Sequence, residues 1–111
     1  MTELEELLLA AKAAGFEVEP CTCRDPKWPL RIKGQSGTRA HWNPNINDGD
    51  AFKLAIDLGI PISVQGSGED EAVLADDTMI WVSSEYAQGD RRKAARTAIV
   101  SVAAQIGEKT S

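Results

Sequence analysis

The sequence lacks any apolar run that approaches the roughly 20 residues of a membrane-spanning helix. It also lacks the basic start of a secretory signal, since it opens with Met1-Thr2-Glu3 and continues with further acids. Its two cysteines, Cys21 and Cys23, are close neighbours, and a disulfide between them would be strained. We therefore expect a cytoplasmic protein without membrane association, whose thiols stay reduced.

Signatures of catalysis and metal binding are sparse. The single histidine, His41, could join Cys21, Cys23 and Asp25 as zinc ligands, because thiolate, imidazole and carboxylate can complete a tetrahedron. Structural zinc sites use paired C-x-x-C or Cys/His spacings, however, and C-x-C supplies only two sulfurs. A cysteine nucleophile activated by His41 lacks a glycine-rich oxyanion loop and an orienting third residue. We expect neither enzyme nor cofactor, with a Cys/His-dependent metal site or enzyme as an alternative.

The chain has no excess of cations. Its net charge of −5 and pI of about 4.8 argue against bulk attraction to a nucleic acid backbone. Cations nevertheless concentrate in residues 24–39 and 91–96, and acids concentrate in residues 69–77. This distribution predicts either a bipolar surface that contacts a partner, or solvated charges that pair across the fold. The candidate partner-binding residues are Lys27, Trp28, Arg31, Lys33, Arg39, Arg91 and Arg92.

Two groups of these candidates have specific alternatives. Arg91, Arg92 and Lys93 lie in the first turn of a predicted helix, where cations oppose the helix dipole. They therefore either pair with acids of residues 69–71 or form part of a site for an anionic partner. Trp28, beside Lys27, could stack on unpaired bases or anchor a protein partner, or it could pack locally in its loop.

Apolar residues at helical spacing predict a first and a last helix. Thr2 and Glu5 have capping-box spacing, so the first helix should cover residues 3–14 and stop at Gly15. Asp90 should cap the last helix, whose apolar residues continue to Gly107. Length and a hydrophobic content of 42% predict a single domain over residues 1–107, followed by a frayed tail at 108–111.

A middle helix follows the segment around which the rest of the chain should pack. Pro44 keeps Asn43 extended, and Asn47 or Asp48 can accept the free amide hydrogens of the first helical turn. Asp48 and Asp50 place negative charge at the positive end of the helix dipole. A calcium-binding loop is a less suitable explanation for them, because such a loop needs further spaced acids, which are missing here. The helix should cover residues 49–58 and be mostly buried, through a stripe of Ala51, Leu54, Ala55 and Leu58 that Phe52 and Ile56 widen.

Alternating apolar and polar residues predict strands at residues 16–19, 30–33 and 60–64. Residues 38–42 are the expected hairpin partner of the second strand, and the β-prone runs at 72–75 and 78–82 predict two more strands. Residues 34–37 and Asp76-Asp77 provide the turns of two hairpins. The last strand is apolar almost throughout, which favours a central position covered on both faces. Trp81 should then lie in the core.

The middle segment resembles a known family. Trp42-Asn43-Pro44, followed by Asp48-Gly49-Asp50-Ala51 and Leu54-Ala55, is similar to the signature of the phage ABA sandwich domain family, which comprises small proteins of bacterial viruses and prophages. Residues 8–15, 91–100 and 104–107 agree with it, whereas the basic residues 24–39 depart from it. The resemblance implies helical layers on both sides of a sheet and no established activity. The motif residues should be structural: Trp42, Asn43, Pro44, Asp48, Gly49 and Asp50.

Together these patterns predict an α+β fold, an αβα sandwich with three helices, a mixed and largely antiparallel sheet, and the order α-β-β-β-α-β-β-β-α. The first functional hypothesis is a non-enzymatic phage or prophage accessory protein in an infected or lysogenic bacterial host, which binds a phage or host protein. The alternative is a nucleic-acid-associated module that uses the basic segment at residues 24–39.

Overall fold

A computed structural model describes residues 2–22, 25–35, 40–67, 70–85 and 87–109. Within these ranges the chain forms three helices, α1 (Glu3–Ala14), α2 (Asp48–Leu58) and α3 (Arg91–Lys109). The six strands are β1 (Val18–Pro20), β2 (Leu30–Ile32), β3 (His41–Trp42), β4 (Ile62–Gln65), β5 (Ala72–Ala75) and β6 (Thr78–Trp81). The α+β class and the predicted order of elements are confirmed. None of the described helices has the length and apolar character needed to cross a membrane.

The strands form two antiparallel sheets, β1-β2-β3 and β4-β5-β6, each with three strands. In the first sheet Leu30 pairs with both Pro20 and Trp42, and in the second Val73 pairs with both Val64 and Ile80. Neighbouring strands follow each other in the chain, and short connections favour antiparallel pairing. Every described strand pair is antiparallel, and the strands form two local sheets. They do not form the single mixed sheet that we expected. Residues 38–39 of the predicted third strand lie outside the described residues.

The second sheet corrects one prediction about burial. β5, not β6, is the central strand, and β6 lies at the sheet edge. Ile80 of β6 packs against the core, whereas Met79 and Trp81 point to the other face, where Trp81 is 48% exposed. An antiparallel sheet can leave one face to solvent, so an apolar strand need not be covered twice. The prediction that Trp81 lies in the core was wrong.

The helix ends follow local capping chemistry. The Thr2 hydroxyl accepts the N–H of Glu5 at 3.1 Å, and Gly15 ends α1 in the left-handed conformation with φ of 81°. In α2 the cap is Asn47, whose side chain accepts the N–H of Asp50 at 2.9 Å. After α2 the N–H of Ile60 donates to the carbonyl of Ala55, which delays the next strand to Ile62.

The last helix is longer than predicted. We expected α3 to stop at Gly107, but it continues through Glu108 to Lys109. Gly107 is buried against α1, and a methyl group there would collide with the backbone carbonyl of Leu9. The glycine therefore permits a close helix contact and does not end the helix.

The main core lies where the three helices meet the first sheet. Its largest fully buried side chains include Trp42, Leu7, Leu54 and Val100. Small residues from α1 and α3 fill the space between these two helices, among them Ala10, Ala11 and Ala103. A smaller cluster of Val73, Ala87 and Ala94 joins the second sheet to α3. α3 therefore connects both parts of the hydrophobic interior.

Candidate functional site

The Trp-Asn-Pro segment joins three parts of the chain. The Trp42 ring is buried edge-on to Phe16, with 6.1 Å between centroids and 77° between planes. Asn43 is only 3% exposed, and its amide donates to the carbonyl of Lys27 at 2.8 Å while its side-chain oxygen accepts the N–H of Asn45 at 3.0 Å. Its own N–H donates to the Asp50 carboxylate at 3.0 Å. Asn43 thus ties the loop at residue 27 to the start of α2.

Asp50 is half-buried beside this segment. Burial raises the pKa of its carboxyl above the ordinary value, and the Asn43 N–H and the charge of Lys53 oppose that rise. Asp50 follows the N-cap by three residues, so its carboxylate also lies at the positive end of the α2 dipole. A partly desolvated carboxylate of this kind forms stronger hydrogen bonds than one in bulk water.

Asp48 is an ion-pair partner. Its carboxylate oxygens contact Arg96 Nη1 at 2.5 Å and Arg92 Nη1 at 3.4 Å. Arg96 also donates from Nε to the carbonyl of Asn45 at 2.9 Å. Because the two cations come from α3, Asp48 connects the start of α2 to the start of α3. The Asp90 carboxylate also lies near Arg92 and Arg96, so this corner carries two carboxylates and two guanidinium groups.

Those predicted partner-binding cations that the structure describes do not form one unpaired patch. Arg91 forms an ion pair with Glu71, which raises the pKa of the guanidinium further, and Arg92 reaches Asp48. Arg31 lies 3.5 Å from Glu19 and donates to the backbone carbonyl of Gln35 at 2.8 Å. Lys27 and Lys33 are exposed, whereas Arg39 lies outside the described residues. Of the alternatives stated above, pairing across the fold accounts for Arg91 and Arg92.

The cysteine and histidine candidates are only partly described. Cys21 is half-buried, Cys23 lies outside the described residues, and His41 stacks on Trp28 with 5.0 Å between centroids and 18° between planes. Among the described residues there is no group of three histidine, cysteine or carboxylate side chains that could hold a metal ion. Trp28 thus packs against the first residue of β3.

A cleft of about 920 Å³ opens between the first sheet and α2. We call it the aromatic cleft, and its lining includes Phe16, Trp28, Ile32, His41, Asp50 and Lys53. Trp42, Gln35 and Asn47 complete the described lining. Its residues come from five places in the chain, so their assembly depends on the tertiary fold.

A second depression of about 500 Å³ lies between α2, α3 and β4. We call it the apolar groove, and its floor and sides include Phe52, Ile56, Ile60, Ile62, Ala95 and Ile99. Asp48, Arg92 and Arg96 line one end. Apart from this end the lining is hydrocarbon, and the groove is open to solvent.

The exposure of α2 corrects a second prediction. Phe52 and Ile56 were expected to widen the buried stripe, but they are 66% and 64% exposed. Ala51, Leu54 and Ala55 are buried in the face that packs on the core, and Leu58 packs against the core at its end. Phe52 and Ile56 lie one position beyond it, about 100° further around the helix. The signal available in the sequence was this surplus of large apolar residues beyond one face.

Comparison with known proteins identified no relative of this chain. No protein-family model matches the chain, and neither a curated protein nor a solved structure matches it significantly. Membership of the phage ABA sandwich family therefore stays a prediction from the motif at residues 42–55.

Proposed function

We propose that this chain is a non-enzymatic protein-interaction module and that the apolar groove is its contact surface. The observation that carries this proposal is the exposure of Phe52 and Ile56 at 66% and 64%, side by side on one helix turn and directly above the groove. Soluble proteins seldom leave large apolar side chains grouped in this way unless the surface is used in binding. Ile62 and Val64 of β4 extend the patch, since residues two apart share one face of a strand.

The charge at the end of the groove specifies the partner further. Asp48 is shared by Arg92 and Arg96, and the Arg92 side chain is 81% exposed. The groove therefore suits a protein segment that presents apolar side chains followed by a carboxylate that reaches Arg92. Resemblance to the phage family suggests that the chain is a phage or prophage accessory protein and that the partner is a phage or host protein.

A role in nucleic acid binding has less support. Arg31, Arg91 and Arg92 already have acidic partners, and the net charge is negative. Binding through phosphate contacts would require these cations to leave their acidic partners, which reduces the net gain in binding free energy.

The experiment compares a groove variant with a matched surface variant. We expect affinity capture from a bacterial host lysate, treated with nuclease, to retain a partner that the double variant Phe52→Glu/Ile56→Glu loses. Removing two exposed apolar contacts and adding charge should weaken binding at least about tenfold, which corresponds to about 1.4 kcal/mol. The control is Met79→Glu, because Met79 is a large apolar residue that is 47% exposed but lies on the outer face of β6.

Three outcomes would count against this proposal. Equal retention by the groove variant would place the contact surface elsewhere. In a parallel capture without nuclease, retention of nucleic acid alone, lost at higher salt, would favour the basic segment at residues 24–39. A concentration-dependent dimer that the groove variant abolishes would show that a second copy, and not a different protein, covers the groove. Circular dichroism of each variant checks that the fold is retained.

A further inference from the structure

The aromatic cleft has the size and composition of a small-molecule site. Its volume of about 920 Å³ lies within the roughly 300–1,000 Å³ typical of ligand pockets. Such pockets combine apolar and aromatic walls with a few polar groups that orient the ligand. The cleft shares no lining residue with the apolar groove, so it is a separate site and independent of the function proposed for that groove.

The walls of the cleft favour a flat ligand. Two ring pairs border it, Phe16 edge-on to Trp42 and Trp28 stacked on His41. Ring systems pack best against other rings, in offset-stacked or edge-on arrangements. Ile32 adds an aliphatic contact from β2. A planar aromatic ring would therefore contact most of the apolar lining.

The polar groups of the cleft favour a ligand with two different ends. Asp50 and Lys53 are three residues apart on α2, so their side chains are neighbours on one helix face. Asp50 uses one carboxylate oxygen for the Asn43 N–H, and the other oxygen has no hydrogen bond among the described residues. Within the same described ranges, Lys53 forms no hydrogen bond or ion pair below 4.0 Å. The cleft thus offers one acceptor and one cation to a ligand.

Among the described residues, the one structural contribution of Lys53 is the attraction of its charge to the Asp50 carboxylate. It is exposed, it follows the first turn of α2, and the described ion pairs at that end of the helix involve Asp48 instead. A cation beside aromatic walls can attract an anion without disturbing the fold, because the flexible stem lets the ammonium group reach the ligand.

We propose that the aromatic cleft binds a planar aromatic anion whose ring carries a hydrogen-bond donor. The ring lies against Phe16 and the stacked Trp28 and His41, the donor faces Asp50, and the anionic group faces Lys53. An amino-substituted aromatic carboxylate has this chemistry, and so does a nucleoside monophosphate with an exocyclic amine. A ligand that carries more charge than one carboxylate or one phosphate group fits less well, because the Asp50 carboxylate also faces the cleft.

The chain contains a specific reporter for this site. His41 is the only histidine, so its imidazole proton resonances are resolved and report on the cleft alone. We expect saturable shifts of these resonances on addition of para-aminobenzoate or of a nucleoside monophosphate, measured separately. Binding of the carboxylate alone would identify an aromatic acid as the ligand class, and binding of the phosphate alone would identify a nucleotide. Either result supports the proposal.

Substitution at Lys53 tests the assigned role of the cation. Lys53→Gln should weaken binding about tenfold, whereas Lys12→Gln, at an exposed position near the end of α1, should leave it unchanged. The neutral para-aminobenzamide should bind wild type about as weakly as the anion binds Lys53→Gln. Absence of any shift with both anions would overturn the proposal, as would equal affinity of wild type and Lys53→Gln. Equal shifts with inorganic phosphate would overturn the role of the aromatic walls.

Discussion

At the scale of single residues, Asp50 joins the Trp-Asn-Pro segment to α2. Its carboxylate accepts the N–H of the buried Asn43, yet burial raises its pKa. The hydrogen bond and the desolvation cost therefore act in opposite directions. Because the folded pKa is raised, the stability linked to Asp50 is fully present below its ordinary pKa of 3.8 and is lost as pH rises through the folded value.

Asparagine at this position should separate the two effects. Asp50→Asn keeps an acceptor oxygen for the Asn43 N–H and removes the charge, so we expect stability at neutral pH at or above that of wild type. Asp50→Ala leaves the part-buried N–H without its acceptor and should cost about 1–3 kcal/mol. Urea unfolding at neutral pH measures both free energies. Similar losses in the two variants would show that the charge itself stabilises the fold.

Sequence reasoning succeeded at residues whose role is local. α1 begins after Thr2 and ends at Gly15, as predicted, because each cap interaction joins residues no more than four positions apart in the sequence. It failed for Phe52, Ile56 and Trp81, since periodicity shows that a residue can be buried but not whether another element covers it. The aromatic cleft could not be predicted at all, because it joins residues as distant as Phe16 and Lys53.

At the scale of secondary-structure elements, α3 begins against an unfavourable distribution of charge. Arg91, Arg92 and Lys93 oppose the helix dipole, and Asp90 compensates by accepting the N–H groups of Arg92 at 2.9 Å and Lys93 at 3.1 Å. These bonds, foremost that from Lys93, lower the pKa of the Asp90 carboxyl. The stability linked to Asp90 is therefore present above its ordinary pKa of 3.8 and is lost as pH falls through the folded value.

The direction of this pH dependence can be tested with variants of Asp90. Asp90→Ala should lower Tm at neutral pH, and the difference in Tm from wild type should shrink once the pH falls below about 3.8. Asp90→Ser keeps an uncharged acceptor, so its loss at neutral pH should be smaller, and it should also shrink in acid because the wild-type carboxylate is then protonated. Thermal melts followed by circular dichroism across this range provide the comparison. A difference for Asp90→Ala that stays constant down to acid pH would contradict the assigned cap charge.

The contact of α1 with α3 depends on Gly107. In an exposed helix, replacing glycine by alanine stabilises by about 1 kcal/mol. Here the added methyl would meet the carbonyl of Leu9, so we expect Gly107→Ala to destabilise the fold by about 1–3 kcal/mol. Gln105→Ala, at an exposed position of the same helix, should change stability by less than about 0.5 kcal/mol. Chemical denaturation measures the free energy of unfolding of both variants. A stabilised Gly107→Ala would show that the helices can move apart freely.

At the scale of the whole molecule, the two depressions lie on different sides of α2. The aromatic cleft uses Asp50 and Lys53, and the apolar groove uses Phe52 and Ile56. Two faces of one helix therefore serve surfaces with different chemistry, an arrangement that a helix allows because successive side chains point about 100° apart. The inner stripe of Ala51, Leu54 and Ala55 fixes α2 between them.

The packing of α1 on α3 also affects the order of events during synthesis. Leu9 meets Gly107, so the largest helix pair of the fold joins segments separated by almost the entire described sequence. A ribosome releases α1 long before α3, and the apolar face of α1 then has no permanent partner. Because distant contacts must await closure of the intervening chain, the hydrophobic interior can form completely only after α3 has emerged. Until then, Leu7 and its neighbours are available to chaperones.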